Sequence, residues 1–406
     1  MPTSTTTAGP LHDPVTYARG FPHERFRALR DHDAVSHHDH PDFASGYWVV
    51  ARHADVQRVS RDATTFRNAP HPFLEEAGQD QSATSGLLIS LDAPDHVKQR
   101  KLINRGFTPR RVSDLTDALV ARVNGIIDSL RTRRECDLVH DLALWLPLHV
   151  IADLVGVPEE DRERVFRLTE RTFGFDPAVS LEERTQAAVE MFAYADALCE
   201  ERRRHPADDL ISALLDAELD GERLDQMQLD LFFMLLQNAG SETTRNLITS
   251  GTVALIQAPD QFDRLRGDLS LLPTAIEELL RFTSPVMLFA RSAMRDTEIG
   301  GQPIAAGERV VMAYPSANRD ERAFADPDAV DVARTPNEHV AFGAGGPHYC
   351  LGASLARLEA KVMFEAIATR FQGLALEGDP ADFPRLHSTI IDGFAEVPIH
   401  WQAIDE

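Results

Sequence analysis

Cysteine is scarce in this 406-residue chain: there are three, Cys136, Cys199 and Cys350, and no two stand as Cys-x-x-Cys. The odd count offers no disulfide framework, and the opening MPTSTTTAGP has no apolar signal core. Both fit free thiols in a reducing cytosol, so a cytoplasmic setting is expected. Positive charge is also short, with 41 Lys plus Arg against 64 Asp plus Glu and a formal charge of −23. That balance argues against nucleic acid or an anionic membrane as the main partner. Long apolar runs are missing: the tightest one near the middle, 231–236, falls far below the roughly 18 residues that span a bilayer. No repeat, Gly/Ser linker or Pro-rich stretch divides the chain. The expected organisation is a disordered tail over 1–15 and one large domain over 16–406, with 43% apolar residues to build its core.

What is present is mostly helical periodicity. Apolar residues recur at three- and four-residue spacing over 113–130, 142–155, 181–203 and 353–370. Ser113 ahead of Asp117, and Ser180 ahead of Glu182 and Glu183, read as helix starts. Strand signals are fewer: GYWVVAR at 46–52, and the alternation of 297–315 around Gly300-Gly301 and Gly307. The expected fold class is mainly α with a minor antiparallel β part drawn from distant segments. The stretch SHHDHPD, with His37, His38 and His40, has the composition of a metal site but the character of a solvated turn. Cys136 and Cys199 read as helix-packing thiols.

Chemistry concentrates around Cys350. Residues 342–352 read FGAGGPHYCLG and run into the helical stretch ASLARLEAKVMFEAIATRF. A cysteine just before a helix feels the positive end of the helix dipole, which lowers a thiol's pKa. The glycines let backbone approach a flat or bulky ligand, and nearby N–H groups can tune a metal through its sulfur. A phosphate loop is excluded, because there is no GK[ST] and no strand–GxGxxG–helix unit. A buried cysteine beside a turn fits the composition equally well.

This loop closely resembles the haem-binding signature of the cytochrome P450 family, Phe-x-x-Gly-x-His/Arg-x-Cys-x-Gly. Cys350 matches the iron ligand, His348 the basic residue two before it, and Gly352 the following glycine. Phe342 lies eight residues before Cys350 where seven is commoner. The longer Gly-Gly-Pro form looks like a bacterial subgroup that includes sterol and lipid hydroxylases.

Three weaker motifs follow in the order the family has them. Glu278 and Arg281 in EELLRF would be an ordinary i,i+3 ion pair by themselves. By resemblance they are the structural Glu-x-x-Arg pair, with Arg334 as third member. NAGSETT at 238–244 interrupts the apolar stretch LDLFFMLLQ with small and polar residues, which leaves room for a ligand or water against the helix. It resembles the AGx[DE]TT motif of the family's long distal helix. That implies Thr243 as the hydrogen-bond donor to dioxygen and Glu242 as a proton relay. His96 and Arg100 share one helix face at i,i+4, and Lys98, Lys101 and Arg105 lie opposite, a pattern that also suits a solvated basic helix. The resemblance implies that His96, Arg100, Arg291 and His339 bind haem propionates. It also makes Lys101, Arg105, Arg110 and Arg111 a basic patch for an acidic electron donor.

The resemblance covers about residues 21–398. It implies a haem b monooxygenase that uses dioxygen and takes NAD(P)H electrons indirectly, from a ferredoxin and ferredoxin reductase, since no flavin module fits this length. The substrate pocket would be assembled from loops at 73–88 and 173–179, from Leu88, from Phe233, Leu236, Gln237, Ala239 and Gly240 on the distal helix, from Val286 to Phe289, and from 389–391 with Ile390. These residues are mainly apolar, so the expected substrate is a hydrophobic small molecule: a steroid, terpenoid, fatty acid or natural-product intermediate. A peroxide-driven haem enzyme and a non-catalytic haem protein are the alternatives, and the Glu242–Thr243 pair argues against both.

Overall fold

The periodic stretch at 181–203 forms the helix Leu181–Arg204, opened by a capping box in which Ser180 and Glu183 satisfy each other's backbone amides. Asp225 and Gln228 do the same for the longest helix, Gln226–Gln257. A computed structural model describes residues 9–74, 84–104, 107, 109–173 and 179–405. Around the long helix pack Trp145–Val155, Leu181–Arg204, Leu272–Thr283 and Ala353–Arg370. Close approach depends on glycine: a Cβ on Gly240 would lie 2.4 Å from Ile151 Cδ1, and one on Gly251 would lie 2.6 Å from Phe364 Cζ. The resulting core buries Ile151, Phe233, Leu247, Leu279 and Phe364 almost completely. Each such side chain contributes on the order of 1.5–3 kcal/mol.

The β part is a five-stranded sheet in the order Val35–His38, Tyr47–Val50, Arg309–Ala313, Leu288–Ala293, Phe66–Arg67. All pairs are antiparallel except Tyr47–Val50 with Arg309–Ala313, which is parallel. Gly300-Gly301 turns a small hairpin between Thr297–Ile299 and Gln302–Ile304.

Several local expectations change. Ser113 does not open a helix. It lies inside Pro109–Asp114, and Thr116–Ser129 begins after Leu115, whose side chain caps nothing. The Thr116 hydroxyl donates to the Ser113 carbonyl across the bend instead. The stretch at 142–155 begins at the end of a π-helix and is α-helical from Trp145. The π-helix is a wide turn over Leu138–Ala143, with Leu144 N–H donating to the Val139 carbonyl. The window Leu138–Val155 is long and apolar enough to cross a membrane, but it is two-thirds buried inside the protein. His37 and His38 are strand residues, and His40 is buried, stacked on Phe43 with ring centroids 4.1 Å apart. Cys136 is a buried strand residue, whereas Cys199 does pack on a helix. Of the tail expected over 1–15, residues from 9 onward are packed: Leu11 is buried, and its carbonyl accepts from the Tyr17 hydroxyl. Residues 1–8 lie outside the described residues.

Candidate active site

Cys350 sits in a loop tied at both ends. Its N–H donates to the Phe342 carbonyl at 2.9 Å, and Gly343 N–H donates to the Val340 carbonyl. The extra residue of this loop is absorbed by Gly345 and Gly346, both left-handed at φ +92° and +85°. They dock on the end of the helix His53–Arg61. The Ser60 hydroxyl donates to the Gly345 carbonyl, and Arg61 Nε donates to the Ala344 carbonyl. A Cβ on Gly346 would stand 2.4 Å from the Ser60 carbonyl oxygen. Gly346→Ala is therefore expected to displace the loop and lose about 1–3 kcal/mol, seen as a lower melting temperature and less haem retained on purification.

The cysteine is open at the surface yet deep within the protein's mass. Burial raises its pKa above the ordinary thiol value, against the pull of the Gly352 amide, Arg100, Arg357 and the Ala353 amide. A coordinating cation reverses such a balance and deprotonates a thiol outright. The helix Ala353–Arg370 starts three residues after Cys350 and packs on the long helix.

Beside this loop four bases converge. His96 and Arg100 come from the helix Asp95–Asn104, Arg291 from the strand Leu288–Ala293, and His348 from the loop. The rings of His96 and His348 are 4.0 Å apart. Arg100 Nη2 donates to the Tyr349 carbonyl at 2.7 Å, and Arg291 Nη1 to the Ala290 carbonyl. Among the described residues, none of the four is hydrogen-bonded to a carboxylate, and buried His96 Nε2 has no partner. Burial, then Arg100, lowers His96 to about 4. Burial, then His96, Arg291 and Arg100, lowers His348 to about 2. Packed bases that suppress one another's charge suit a doubly anionic ligand. A thiol next to them suits a metal carried by that same ligand. The residues therefore fit haem b, with propionates on these bases and iron on Cys350.

His339 is drawn elsewhere. Its Nε2 bonds Glu277 at 3.0 Å, and its Nδ1 accepts from the Ala341 N–H, so no ring N–H is left for a propionate. Arg357 also donates twice to Glu277, at 2.6 and 2.7 Å, and lies 4.5 Å over the Phe342 ring. Burial opposes ionisation of Glu277, but the hydrogen bonds from Arg357 and His339 outweigh it and hold the carboxyl at about 2. This brace was missed in the sequence. Its only signal was an acid adjacent to Glu278 and an arginine two turns after Cys350.

Behind the loop, Glu278 and Arg281 are fully buried and doubly bonded at 2.7 Å. Glu278 also accepts from Arg334 Nε, Asn337 Nδ2 and the Asp331 N–H, and Arg281 donates to the carbonyls of Asn318, Pro327 and Ala329.

On the long helix the Thr243 hydroxyl donates to the Ala239 carbonyl at 2.8 Å. Glu242 is buried and turned to Arg245, which also approaches Glu170 at 3.8 Å. Burial pushes the Glu242 carboxyl up to about 7, against Arg245. Successive residues step about 100° around a helix, which turns Phe233 and Gln237 about 80° and 120° away from Thr243; Leu236 lies within about 20° of Thr243 and is nonetheless buried. Phe233 meets Tyr194, Leu236 joins the core, and Gln237 is fully buried. Gly240 faces Ile151. Of the distal-helix residues expected in the pocket, Ala239 alone is exposed, and it shares its face with Thr243. Leu88 is buried in the core cluster, and Gly86 next to it lies against Leu231 of the long helix. Val286 pairs with Ile391, Met287 N–H donates to the Ile390 carbonyl, and Phe289 meets Phe73 and Tyr314 edge-on. Residues 75–83 and 174–178 of the expected pocket loops lie outside the described residues. A groove of about 620 Å³, lined by Leu168, Arg171, Leu181 and Glu183 among others, contains none of these groups.

A helical fold with a cysteine loop of this kind defines a haem-thiolate protein. The comparisons agree. The family profile described as Cytochrome P450 matches residues 148–391. The chain is 39% identical over 363 residues to a steroid C26-monooxygenase of Mycolicibacterium smegmatis, covering 88% of this chain and 83% of that one. It is 40% identical over 364 residues to a methyl-branched lipid omega-hydroxylase of Mycobacterium tuberculosis, covering 88% and 84%. The solved structure of Mycobacterium marinum cytochrome P450 CYP268A2 with pseudoionone superposes at a TM-score of 0.87 with 35% identity, covering 93% of this chain and 94% of that one. This chain belongs to the cytochrome P450 family. It is an oxidoreductase, a haem b monooxygenase that uses dioxygen and NAD(P)H electrons delivered by redox partners, and its substrates are hydrophobic small molecules.

Proposed function

We propose that this chain hydroxylates or epoxidises a steroid, terpenoid, fatty acid or related natural-product intermediate, with electrons from a ferredoxin and its reductase. The observation that carries the residue roles is the Cys350 loop beside four bases that have no carboxylate partner among the described residues. His96, Arg100, Arg291 and His348 hold the propionates, and Cys350 holds the iron. Phe342 and Gly352 shape the loop, while Glu278, Arg281 and Arg334 fix the core beneath it.

When bound, haem supplies the redox chemistry that splits dioxygen and transfers one oxygen atom. Each turnover takes two electrons and two protons and releases one water. Thr243 holds a proton on the pocket face. Glu242, near half-ionised at neutral pH, exchanges protons with solvent past Arg245 and half-exposed Glu170. Apolar walls around Val286, Phe289 and Ile390 keep other water out.

Lys101 is exposed on the outer side of its helix, while Lys98 is tied to Glu222. Arg105 lies outside the described residues, and Arg110 and Arg111 stand on Pro109–Asp114, their side chains undescribed. A basic patch there suits an acidic ferredoxin and a cytoplasmic enzyme. The test compares turnover driven by NAD(P)H, ferredoxin and reductase with turnover driven by peroxide alone. Donor-dependent turnover that falls as salt rises is expected. Equal turnover from peroxide alone would overturn the proposal.

A further inference from the structure

The long helix is buried nearly all round, so its few open positions identify what faces the ligand. Between 229 and 255 the positions that are not buried are 231, 235, 238, 239, 240, 243 and 250. Gly240 is accounted for by Ile151, and Ser250 lies two turns beyond Thr243. The remaining five, Leu231, Leu235, Asn238, Ala239 and Thr243, fall within roughly 140° of the circumference at 100° per residue. Four of them were to be expected on the face of an oxygenase that admits apolar molecules: two leucines, a small residue and the threonine. Asn238 is the exception. Its amide makes no hydrogen bond to the described residues. The amides of Gln237 and Asn246 on the same helix also lack partners, but both are fully buried in the packing, whereas Asn238 is half-open; the other polar groups nearby are tied, Ser241 to the Gln237 carbonyl, Glu242 to Arg245 and Thr243 to the Ala239 carbonyl. A half-buried amide with two donors and an acceptor left open, on a wall of apolar side chains, is matched by a polar group on the ligand.

We propose that Asn238 is a specificity-determining residue, hydrogen-bonding one hydroxyl or carbonyl oxygen on an otherwise apolar substrate. This rests on the monooxygenase function described above. The helix also sets the spacing. Five residues separate Asn238 from Thr243, a rise of about 7.5 Å. With the roughly 140° turn between them, the oxygen function of the substrate lies at least about 7–8 Å from the carbon presented beside Thr243. A substrate without such an oxygen leaves the amide desolvated and unpaired, which disfavours it.

The test uses matched pairs on linear terpenoid, steroid and long-chain skeletons, each a ketone or alcohol and its deoxygenated counterpart; pseudoionone and testosterone supply two of the oxygenated members. Affinity is read both from equilibrium dialysis and from the ferric spin-state shift, for the wild type, Asn238→Leu and Asn238→Gln. The wild type is expected to favour the oxygenated member of at least one pair by about tenfold, beyond their difference in solubility. Asn238→Leu is expected to lose that preference while binding the deoxygenated member as well or better, and Asn238→Gln to restore part of it. Oxidation in the preferred pair should fall at the stated spacing from the oxygen. The proposal is overturned if the wild type shows no preference in any pair, or if Asn238→Leu keeps it. A wild type that shows the thiolate spectrum of the reduced carbon monoxide complex yet binds neither member of any pair contradicts the apolar-substrate assignment as well. Loss of that spectrum would count against the haem-thiolate function itself.

Discussion

Glu278→Ala is expected to cost about 3–5 kcal/mol and to give a protein that melts early and purifies without haem. The carboxylate is fully buried and takes hydrogen bonds from Arg281, Arg334, Asn337 and the Asp331 amide. Removing it leaves the Arg281 guanidinium buried without an anion, although three backbone carbonyls still solvate it. A loss of this size is a large share of a total stability of about 5–15 kcal/mol. Arg334→Ala removes one donor from the edge of the same cluster and should cost less, on the order of 1–3 kcal/mol. Thermal unfolding and the haem-to-protein ratio check both. A Glu278→Ala protein with wild-type melting and full haem content would show that the cluster does not hold the core.

Thr243→Ala is expected to leave NAD(P)H consumption largely in place while product formed per dioxygen falls about tenfold or more. The hydroxyl lies on the same face as Ala239 and, among the described residues, makes one hydrogen bond, to the Ala239 carbonyl, which leaves its oxygen able to accept from water or ligand. Without it the proton on that face is no longer positioned, and reduced oxygen leaves as peroxide or water. Glu242 adds a pH signature. With its carboxyl at about 7, proton supply weakens as pH rises above about 7, and Glu242→Gln should abolish that decline along with most of the activity. Stability moves in the same direction. The folded pKa is raised above the unfolded value, so this group's contribution is fully present below about pH 4.5 and is lost as pH rises through about 7. An unchanged product-to-dioxygen ratio in Thr243→Ala would point instead to a protein that binds haem without using it for oxygen transfer.

The parts of the site legible in the sequence are those whose partners are close along the chain or whose motif a known family shares. Cys350 stood out because its loop resembles the haem-binding signature of a known family; its residues alone fit a buried cysteine beside a turn equally well. Glu278 and Arg281 are three apart on one helix, while Arg334 bonds to Glu278 from 56 residues further on and was legible only through the family resemblance. His339 illustrates the limit. A histidine at a plausible position says nothing about its ring nitrogens, and here Glu277 and the Ala341 amide take both. The pocket face was misjudged for a different reason. Phe233 and Gln237 stand about 80° and 120° round the helix from Thr243 and are buried, whereas Leu236 stands only about 20° away and is buried by packing instead; Leu231, Leu235 and Asn238 are left partly open. The helical period alone does not separate these positions, since the burial of Leu236 depends on the elements packed against it. The sheet was out of reach: nothing local in Tyr47–Val50 announces a parallel pairing with Arg309–Ala313. The fit of Gly345 and Gly346 to Ser60 and Arg61 likewise depends on a helix far away in sequence.

The central claim is that the Cys350 thiolate holds a haem iron. The most direct measurement is the absorption spectrum of the reduced, carbon monoxide-bound protein, taken for the wild type and for Cys350→Ala. The account predicts the long-wavelength Soret band of a thiolate-ligated haem in the wild type and its loss in the variant. A wild type that purifies without haem, or a variant that keeps the band, would contradict it.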